Sequence, residues 1–181
     1  KGEHFDGHAF VADAIKQGAA GALVSQAFAA THPGLPLIVV ADTRLALGAL
    51  SAAWRARFTL PLIGITGSNG KTTVKEMCAA ILRSQGGEVL ATTGNLNNDI
   101  GLPLTLLQLR DTHTVAVIEM GMNHAGEISY LTCLAKPTVA MVINAQRAHL
   151  AGLGSVQDVG LAKGEIFSGL DAEGIAVFNA D

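Results

Sequence analysis

The sequence has little cysteine, little charge and no long apolar run. Cys78 and Cys133 are its two cysteines. They lie far apart and form no C-x-x-C pair, which excludes a disulfide framework and a cysteine zinc site and fits a reducing cytoplasm. Both fall on apolar helical faces and are expected to pack as small core hydrophobes. Only 15% of residues are charged and the formal net charge is -3, so the broad basic surface of a nucleic-acid binder is missing. No apolar run approaches the ~18 residues that span a bilayer, so membrane insertion is not expected. The opening Lys1-Gly2-Glu3-His4-Phe5-Asp6-Gly7-His8 has neither an initiating Met nor the pattern of a secretory signal, and the chain stops just after an apparent strand. A fragment is therefore expected. Internal repeats and low-complexity stretches are absent too.

What is present is a large apolar fraction, 49% of 181 residues, enough for one domain or a domain and part of another. Short β-branched runs alternate with longer periodic ones. Ala22–Val24 and Leu37–Ala41 read as strands, with a helix over Phe10–Gln17. Thr43–Phe58 reads as a helix with Leu47, Leu50, Ala53, Trp54 and Phe58 at core spacing. Thr59-Leu60-Pro61 breaks that pattern and places a domain boundary between residues 60 and 61. Beyond it, Leu62–Thr66, Val89–Ala91, Val115–Glu119, Val139–Asn144 and Ile175–Asn179 read as strands. Helices are expected at Lys71–Gln85, with Val74, Met77, Cys78, Ile81 and Leu82 on its apolar face, and at Leu102–Leu109, Ile128–Ala135 and Val156–Phe167. The alternation predicts an α/β fold: a P-loop-type, mostly parallel sheet with helices on both faces, preceded by part of a smaller α/β domain. In such sheets ligands bind beyond the carboxyl ends of the strands, which ranks the polar residues worth pursuing.

The strongest local signal is Gly64-Ile65-Thr66-Gly67-Ser68-Asn69-Gly70-Lys71-Thr72-Thr73, between an expected strand and an expected helix. Glycines let backbone N–H groups turn toward phosphate oxygens, and the helix N-terminus adds positive potential there. Gly67, Ser68, Asn69, Gly70, Lys71, Thr72 and Thr73 are thus the candidate nucleotide-binding residues. Lys71 is placed to reach the β- and γ-phosphates and Thr72 to offer its hydroxyl to Mg²⁺. The strict G-x-x-x-x-G-K-[ST] spacing requires glycine at Ile65, so this is the T-G-x-x-G-K-T variant.

Glu119 ends an expected strand and is placed to hold Mg²⁺ from beside the loop, or else to cap the next turn. His149 follows another strand, where a second ion site and a structural role both remain open, and Lys163 lies on a helix, where a lysine is usually solvated. Asn95, Asn97, Asn98 and Asp99 form a dense polar run that either binds a polar substrate or makes turns and caps, with Asp99 a natural N-cap. Asn123 and His124 are similarly balanced.

Taken together, Lys1-Gly2-Glu3-His4-Phe5-Asp6-Gly7-His8, Asp42-Thr43-Arg44, Thr66-Gly67-Ser68-Asn69-Gly70-Lys71-Thr72, Gly94-Asn95-Leu96-Asn97-Asn98-Asp99, Glu119-Met120-Gly121-Met122-Asn123-His124, Ala148-His149-Leu150 and Ala162-Lys163-Gly164-Glu165-Ile166 resemble the Mur ligase family. The likeness runs the whole chain in order, and the asparagine run and opening segment point to the branch that adds D-alanyl-D-alanine. Ala151 stands where the family often has an acid, and Gln146-Arg147 where smaller residues are common. The resemblance implies a cytoplasmic, monomeric ATP- and Mg²⁺-dependent ligase acting on UDP-N-acetylmuramoyl-tripeptide and D-alanyl-D-alanine. It implies that residues 1–60 are the later part of a UDP-substrate-binding domain and 61–181 the early part of the ATP-binding domain, the C-terminal domain being absent, so that the fragment by itself is inactive. It further implies a metal shell of Thr72, Glu119, His149 and Lys163, the last through a carbamate, with Lys71, His149 and Lys163 as the catalytic set. Asn95, Asn97, Asn98, Asp99, Asn123 and His124 would face the muramyl substrate. The competing readings are a related ligase with another amino acid or a folate substrate, and a P-loop module that makes no amide.

Overall fold

The computed structural model describes residues 6–146 and 155–180; Arg147, His149 and Ala151 lie outside the described residues. The chain divides into two compact units, Lys1–Leu47 and Gly48–Asp181.

In the first unit, β1 (Ala22–Ser25) and β2 (Leu37–Val40) pair in parallel. A 3₁₀ turn over Gly7–Phe10 leads into α1 (Val11–Lys16), and α2 (Gln26–Thr31) joins the strands. The short α2 has no apolar period to betray it; the Ser25 hydroxyl caps it by accepting from the Phe28 N–H at 3.4 Å. The Asp6 carboxylate takes bonds from the His8 N–H at 3.1 Å and His8 Nδ1 at 2.6 Å, and His8 Nε2 then accepts from the Ser25 N–H at 3.1 Å. Phe28 stacks on both His8 and His32. A concavity of about 430 Å³ opens here, lined among others by Asp6, His8, Ser25, Phe28, Asp42 and Thr43.

The second unit is a five-stranded, wholly parallel sheet flanked by helices, in the order β4 (Val89–Ala91), β5 (Val115–Glu119), β3 (Leu62–Thr66), β6 (Val139–Val142), β7 (Ile175–Phe178). The chain fills one side of β3 before crossing to the other, so β3 lies between its later neighbours at the point where strand order reverses. Leu62, Ala116, Ile118 and Ala140 from the strands meet Leu102 and Leu106 of α5 (Gly101–Leu106), Ile128 and Leu131 of α6 (Glu127–Ala135), and Val159 of α7 (Val156–Gly164) in one core. A 3₁₀ turn over Glu165–Gly169 follows α7 and contributes Ile166. Among the described residues no helix is long and apolar enough to cross a membrane.

The strands fall where the alternation puts them; several helix faces do not. In α3 (Thr43–Arg55) the buried positions are Gly48, Ser51 and Arg55, whereas Leu50 is 48% exposed and Ala53 is exposed too. A Cβ on Gly48 would fall on the Tyr130 hydroxyl, so close packing, and not apolarity, chose this face. Arg55 supplies the reason for its own burial. Its Nε donates to the Ala135 carbonyl at 3.0 Å, Nη1 to Phe58 at 2.5 Å, and Nη2 to Leu60 at 3.3 Å and Lys136 at 3.5 Å. Two of those carbonyls close α6, where Lys136 turns left-handed with φ 45°.

In α4 (Lys71–Ser84) the buried residues are Lys75 and Ala79, while Met77 and Ile81 are 59% and 61% exposed, contrary to the expected apolar face. The helix is turned so that Lys75 points inward, its Nζ donating to the Thr92 carbonyl at 2.6 Å and pairing with Glu76 at 2.8 Å. Cys78 is half-buried, and Cys133 is exposed because α6 buries Leu131, Thr132, Leu134 and Ala135 instead, so the core role expected of Cys133 does not hold.

Candidate active site

The loop after β3 is the centre of the site. Gly70 adopts φ +78°, a conformation that favours glycine, and a Cβ on Gly67 would come within 3.1 Å of the Ile143 side chain. The loop is clamped from β6's side. The Ser68 and Asn69 N–H groups donate to Asn144 Oδ1 at 3.0 and 3.1 Å, Asn144 Nδ2 returns a bond to the Asn69 carbonyl at 3.2 Å, and Asn69 Nδ2 donates to Gln146 Oε1 at 2.8 Å. Neither Asn144 nor Gln146 is among the expected site residues, Asn144 reading as a strand end and Gln146 as a departure from the family pattern; an amide leaving the strand beside a phosphate loop is the signal the sequence offers. Their bonds narrow the anion-facing set. Ser68 and Asn69 spend their amides on Asn144, whereas the N–H groups of Gly70, Lys71, Thr72 and Thr73 have no acceptor among the described residues. These sit where α4 begins and its dipole is positive. Lys71 Nζ rests on the Gly67 carbonyl at 2.9 Å.

Glu119 stands across from the loop. Its Cα pairs with Ile65 in the β3–β5 ladder, and its carboxylate is nearly buried at 2% exposure. The Thr72 hydroxyl donates to Glu119 Oε2 at 2.9 Å and Asn97 Nδ2 to Oε1 at 2.7 Å. Acid and phosphate loop therefore share one side of the sheet. Among the described residues no Lys, Arg or His pairs with Glu119. A buried carboxylate held only by neutral donors is short of a counter-charge. Adjacent ligand oxygens of an octahedral Mg²⁺, with bonds near 2.1 Å, lie ~3.0 Å apart. Thr72 Oγ1 and Glu119 Oε2 match that edge, so the pair fits a small hard cation. No cluster of three His, Cys, Asp or Glu gathers among the described residues.

The asparagine run divides in its duties. The Gly121 N–H donates to the Asn97 carbonyl at 2.8 Å, and the Asn97 side chain lies where a Cβ on Gly121 would be, within 2.9 Å. Asn98 makes the turn into α5: its Oδ1 accepts from the Ile100 and Gly101 N–H groups at 3.2 and 2.8 Å. Asn95 is exposed. Asn123 and His124 are exposed as well; Glu127 holds them, accepting from the Asn123 N–H at 2.6 Å and His124 Nδ1 at 3.0 Å, with its own pKa lowered by those bonds against the opposing effect of burial. Thr92, another residue the sequence reading missed, accepts from the Glu119 N–H at 2.9 Å through its hydroxyl while its carbonyl receives Lys75.

Lys163 is 1% exposed at the end of α7. Burial, with a smaller contribution from the Lys71 charge, lowers its pKa to about 8. Among the described residues its Nζ has no hydrogen bond or ion pair, so it is a buried amine that gives up its proton more readily than an ordinary lysine. Two residues on, Glu165 accepts from the Gly126 and Ser129 N–H groups at 2.7 and 3.0 Å and so fastens this segment to the start of α6.

Comparison with known proteins agrees with this geometry. Residues 65–181 match the Mur ligase middle domain. The chain is 54% identical over 184 residues to the UDP-N-acetylmuramoyl-tripeptide--D-alanyl-D-alanine ligase of Escherichia coli, with all of this chain and 39% of the relative covered. It is 47% identical to the Haemophilus influenzae enzyme of that name, covering 40% of it. A crystal structure of MurF from Acinetobacter baumannii superposes with TM-score 0.89 at 42% identity, over the whole of this chain and 39% of that one. The Thermotoga maritima MurF ligase in complex with ADP gives TM-score 0.90 at 32% identity, over the whole of this chain and 42% of that one. The chain thus spans about 39% of the length of the E. coli relative. With more than half its residues matching the middle-domain model and a phosphate loop, acid and buried lysine set as described, the chain belongs to the Mur ligase family.

Proposed function

We propose that this chain is part of an ATP-dependent ligase that joins D-alanyl-D-alanine to the terminal carboxylate of UDP-N-acetylmuramoyl-tripeptide, in the cytoplasmic synthesis of peptidoglycan precursors. The contact of the Thr72 hydroxyl with the Glu119 carboxylate at the mouth of the phosphate loop is the observation that carries the reading. The names of the similar ligases and the ADP in one related structure support it. In this reading residues 1–60 contribute to the site for the UDP-sugar and 61–181 to the site for ATP.

The free N–H groups of Gly70 to Thr73 receive the phosphates, and Lys71 leaves the Gly67 carbonyl to neutralise the transferring group. Thr72 and Glu119 would hold Mg²⁺, which would supply positive charge against that developing on the phosphates. The substrate carboxylate takes the γ-phosphoryl group to form an acyl phosphate with ADP as leaving group. The amine of D-alanyl-D-alanine attacks that carbonyl, loses a proton and expels phosphate as the amide forms. Lys163, as its neutral amine, is suited to add CO₂: the nitrogen–carbon bond forms, a proton is released, and a carbamate faces the site as a further metal ligand. His149 is assigned to the same shell on resemblance alone. Asn95 and Asp99 are assigned to the muramyl substrate, with Asn123 and His124 at its edge.

The test is phosphate release by the full-length protein with UDP-N-acetylmuramoyl-tripeptide and D-alanyl-D-alanine supplied separately and together. Release that needs both, and that Lys71→Ala abolishes, is the expected result; amide formation near the wild-type rate in Lys71→Ala removes the assignment.

A further inference from the structure

We propose that Asn97 is a positioning residue that sets the Glu119 carboxylate for the divalent cation, and that Gly121 is glycine to leave room for it. The inference rests on the metal role given above to Thr72 and Glu119, and it assigns Asn97 a duty other than substrate contact.

Asn97 is pinned at three points. Its N–H donates to the Asn95 carbonyl at 2.7 Å, its carbonyl accepts from the Gly121 N–H at 2.8 Å, and its Nδ2 donates to Glu119 Oε1 at 2.7 Å. A carboxylate has two oxygens and a free rotation about its last bond, and a hydrogen bond to one oxygen fixes the plane of both. With Oε1 held by Asn97, Oε2 stays beside the Thr72 hydroxyl at 2.9 Å, the edge on which the cation is placed. An amide suits the position better than the alternatives: an aspartate would set a second negative charge against Glu119, and a lysine would neutralise the acid and compete with the metal.

Gly121 completes the arrangement. A Cβ there would lie 2.9 Å from Asn97 Oδ1, 3.0 Å from Cγ and 3.2 Å from Nδ2. The three nearest atoms all belong to the same amide, so a methyl group at residue 121 presses first on the group that holds Glu119.

The experiment is a Mg²⁺ titration of binding of a fluorescent ADP analogue to the full-length protein, with binding in EDTA measured alongside. Asn97→Ala is expected to raise the Mg²⁺ concentration at half-effect about tenfold, the size of effect common when a metal ligand loses its supporting hydrogen bond, while binding in EDTA stays unchanged. Gly121→Ala, which leaves Asn97 in the sequence, is expected to shift the midpoint in the same direction. The double variant should match Asn97→Ala alone, because the methyl group then has no amide to displace. An unchanged midpoint in both single variants overturns the proposal, and so do two shifts that multiply in the double variant. Glu119→Ala separates the two levels. If it too leaves the midpoint unchanged, the metal assignment itself fails; if it abolishes the Mg²⁺ response while Asn97→Ala does not alter it, only the role of Asn97 fails.

Discussion

The Thr72 hydroxyl and the Glu119 carboxylate, 47 residues apart in sequence, meet at 2.9 Å where β3 gives way to α4. One comes from the first turn of that helix and the other from the neighbouring strand β5. Charge, and not only shape, should matter here. Glu119→Gln keeps the side chain's size but removes the negative charge, and is expected to lower amide formation at least about a hundredfold. Thr72→Ser should keep most activity and Thr72→Val should lose it. Steady-state phosphate release checks all three, and a Glu119→Gln enzyme of ordinary activity would contradict the assignment.

Lys163 makes a prediction about pH. Its pKa is lowered to about 8 against 10.5 for an ordinary lysine, through burial first and the Lys71 charge second. The unfolded chain therefore binds the proton more tightly than the folded one, and the folded state gains stability as pH rises from about 8 toward 10.5. Below that window the charged buried amine is a cost that Lys163→Met does not carry. In CO₂-free buffer the variant should be the more stable protein at pH 7, with its advantage shrinking through the window. Thermal unfolding at pH 7 and pH 9.5 measures this; an advantage that grows with pH has the wrong sign.

The same amine is roughly a tenth neutral at pH 7 with a pKa near 8, against well under a thousandth for an unperturbed lysine. Incubation of the full-length protein with ¹³C-bicarbonate should give a carbamate carbon signal in NMR that strengthens from pH 7 to 8.5 and is missing in Lys163→Ala.

Arg55 is expected to be the most sensitive position of α3. Its guanidinium serves four carbonyls that otherwise lose a partner in a buried setting. Arg55→Met should cost about 3 kcal/mol, and Arg55→Lys nearly as much because an ammonium lacks the planar fork that reaches several oxygens at once. Denaturant unfolding curves decide between that and the small effect of a surface arginine.

Gly101 tests the floor of the asparagine run. A Cβ there would overlap the Leu96 Cα and carbonyl carbon, which are backbone atoms that cannot swing aside. Gly101→Ala should destabilise by about 2 kcal/mol or more and weaken Mg²⁺-dependent nucleotide binding, since Leu96 adjoins Asn97. Loss of stability with an intact Mg²⁺ response would separate this backbone contact from the metal site.

How much of this was legible in the sequence follows from which signals are local. The parallel sheet was readable because its strands are short apolar runs that alternate with helical segments. The phosphate loop was readable because its chemistry is contiguous from Gly64 to Thr73. Helix faces were less so. In α3 the inward residues are Gly48, Ser51 and Arg55, and in α4 Lys75 and Ala79, because what decides the face is close approach and hydrogen bonding to partners distant in sequence. A hydrophobic count has no access to either. Within the asparagine run the alternatives of cap and ligand stood level, and the structure distributes them, with Asn98 closing the turn and Asn97 bound to Glu119. The roles of Asn144, Gln146 and Thr92 are not legible in the sequence because each acts through a bond to a residue at least 17 positions away.

The grip of Asn144 on Ser68 and Asn69 bridges more than seventy residues of chain. A peptide ending before β6 would contain every letter of the glycine-lysine signature and still lack the amide that accepts from Ser68 and Asn69. In the proposed reading, a lesion that loosens β6 should therefore weaken nucleotide binding although it touches no phosphate.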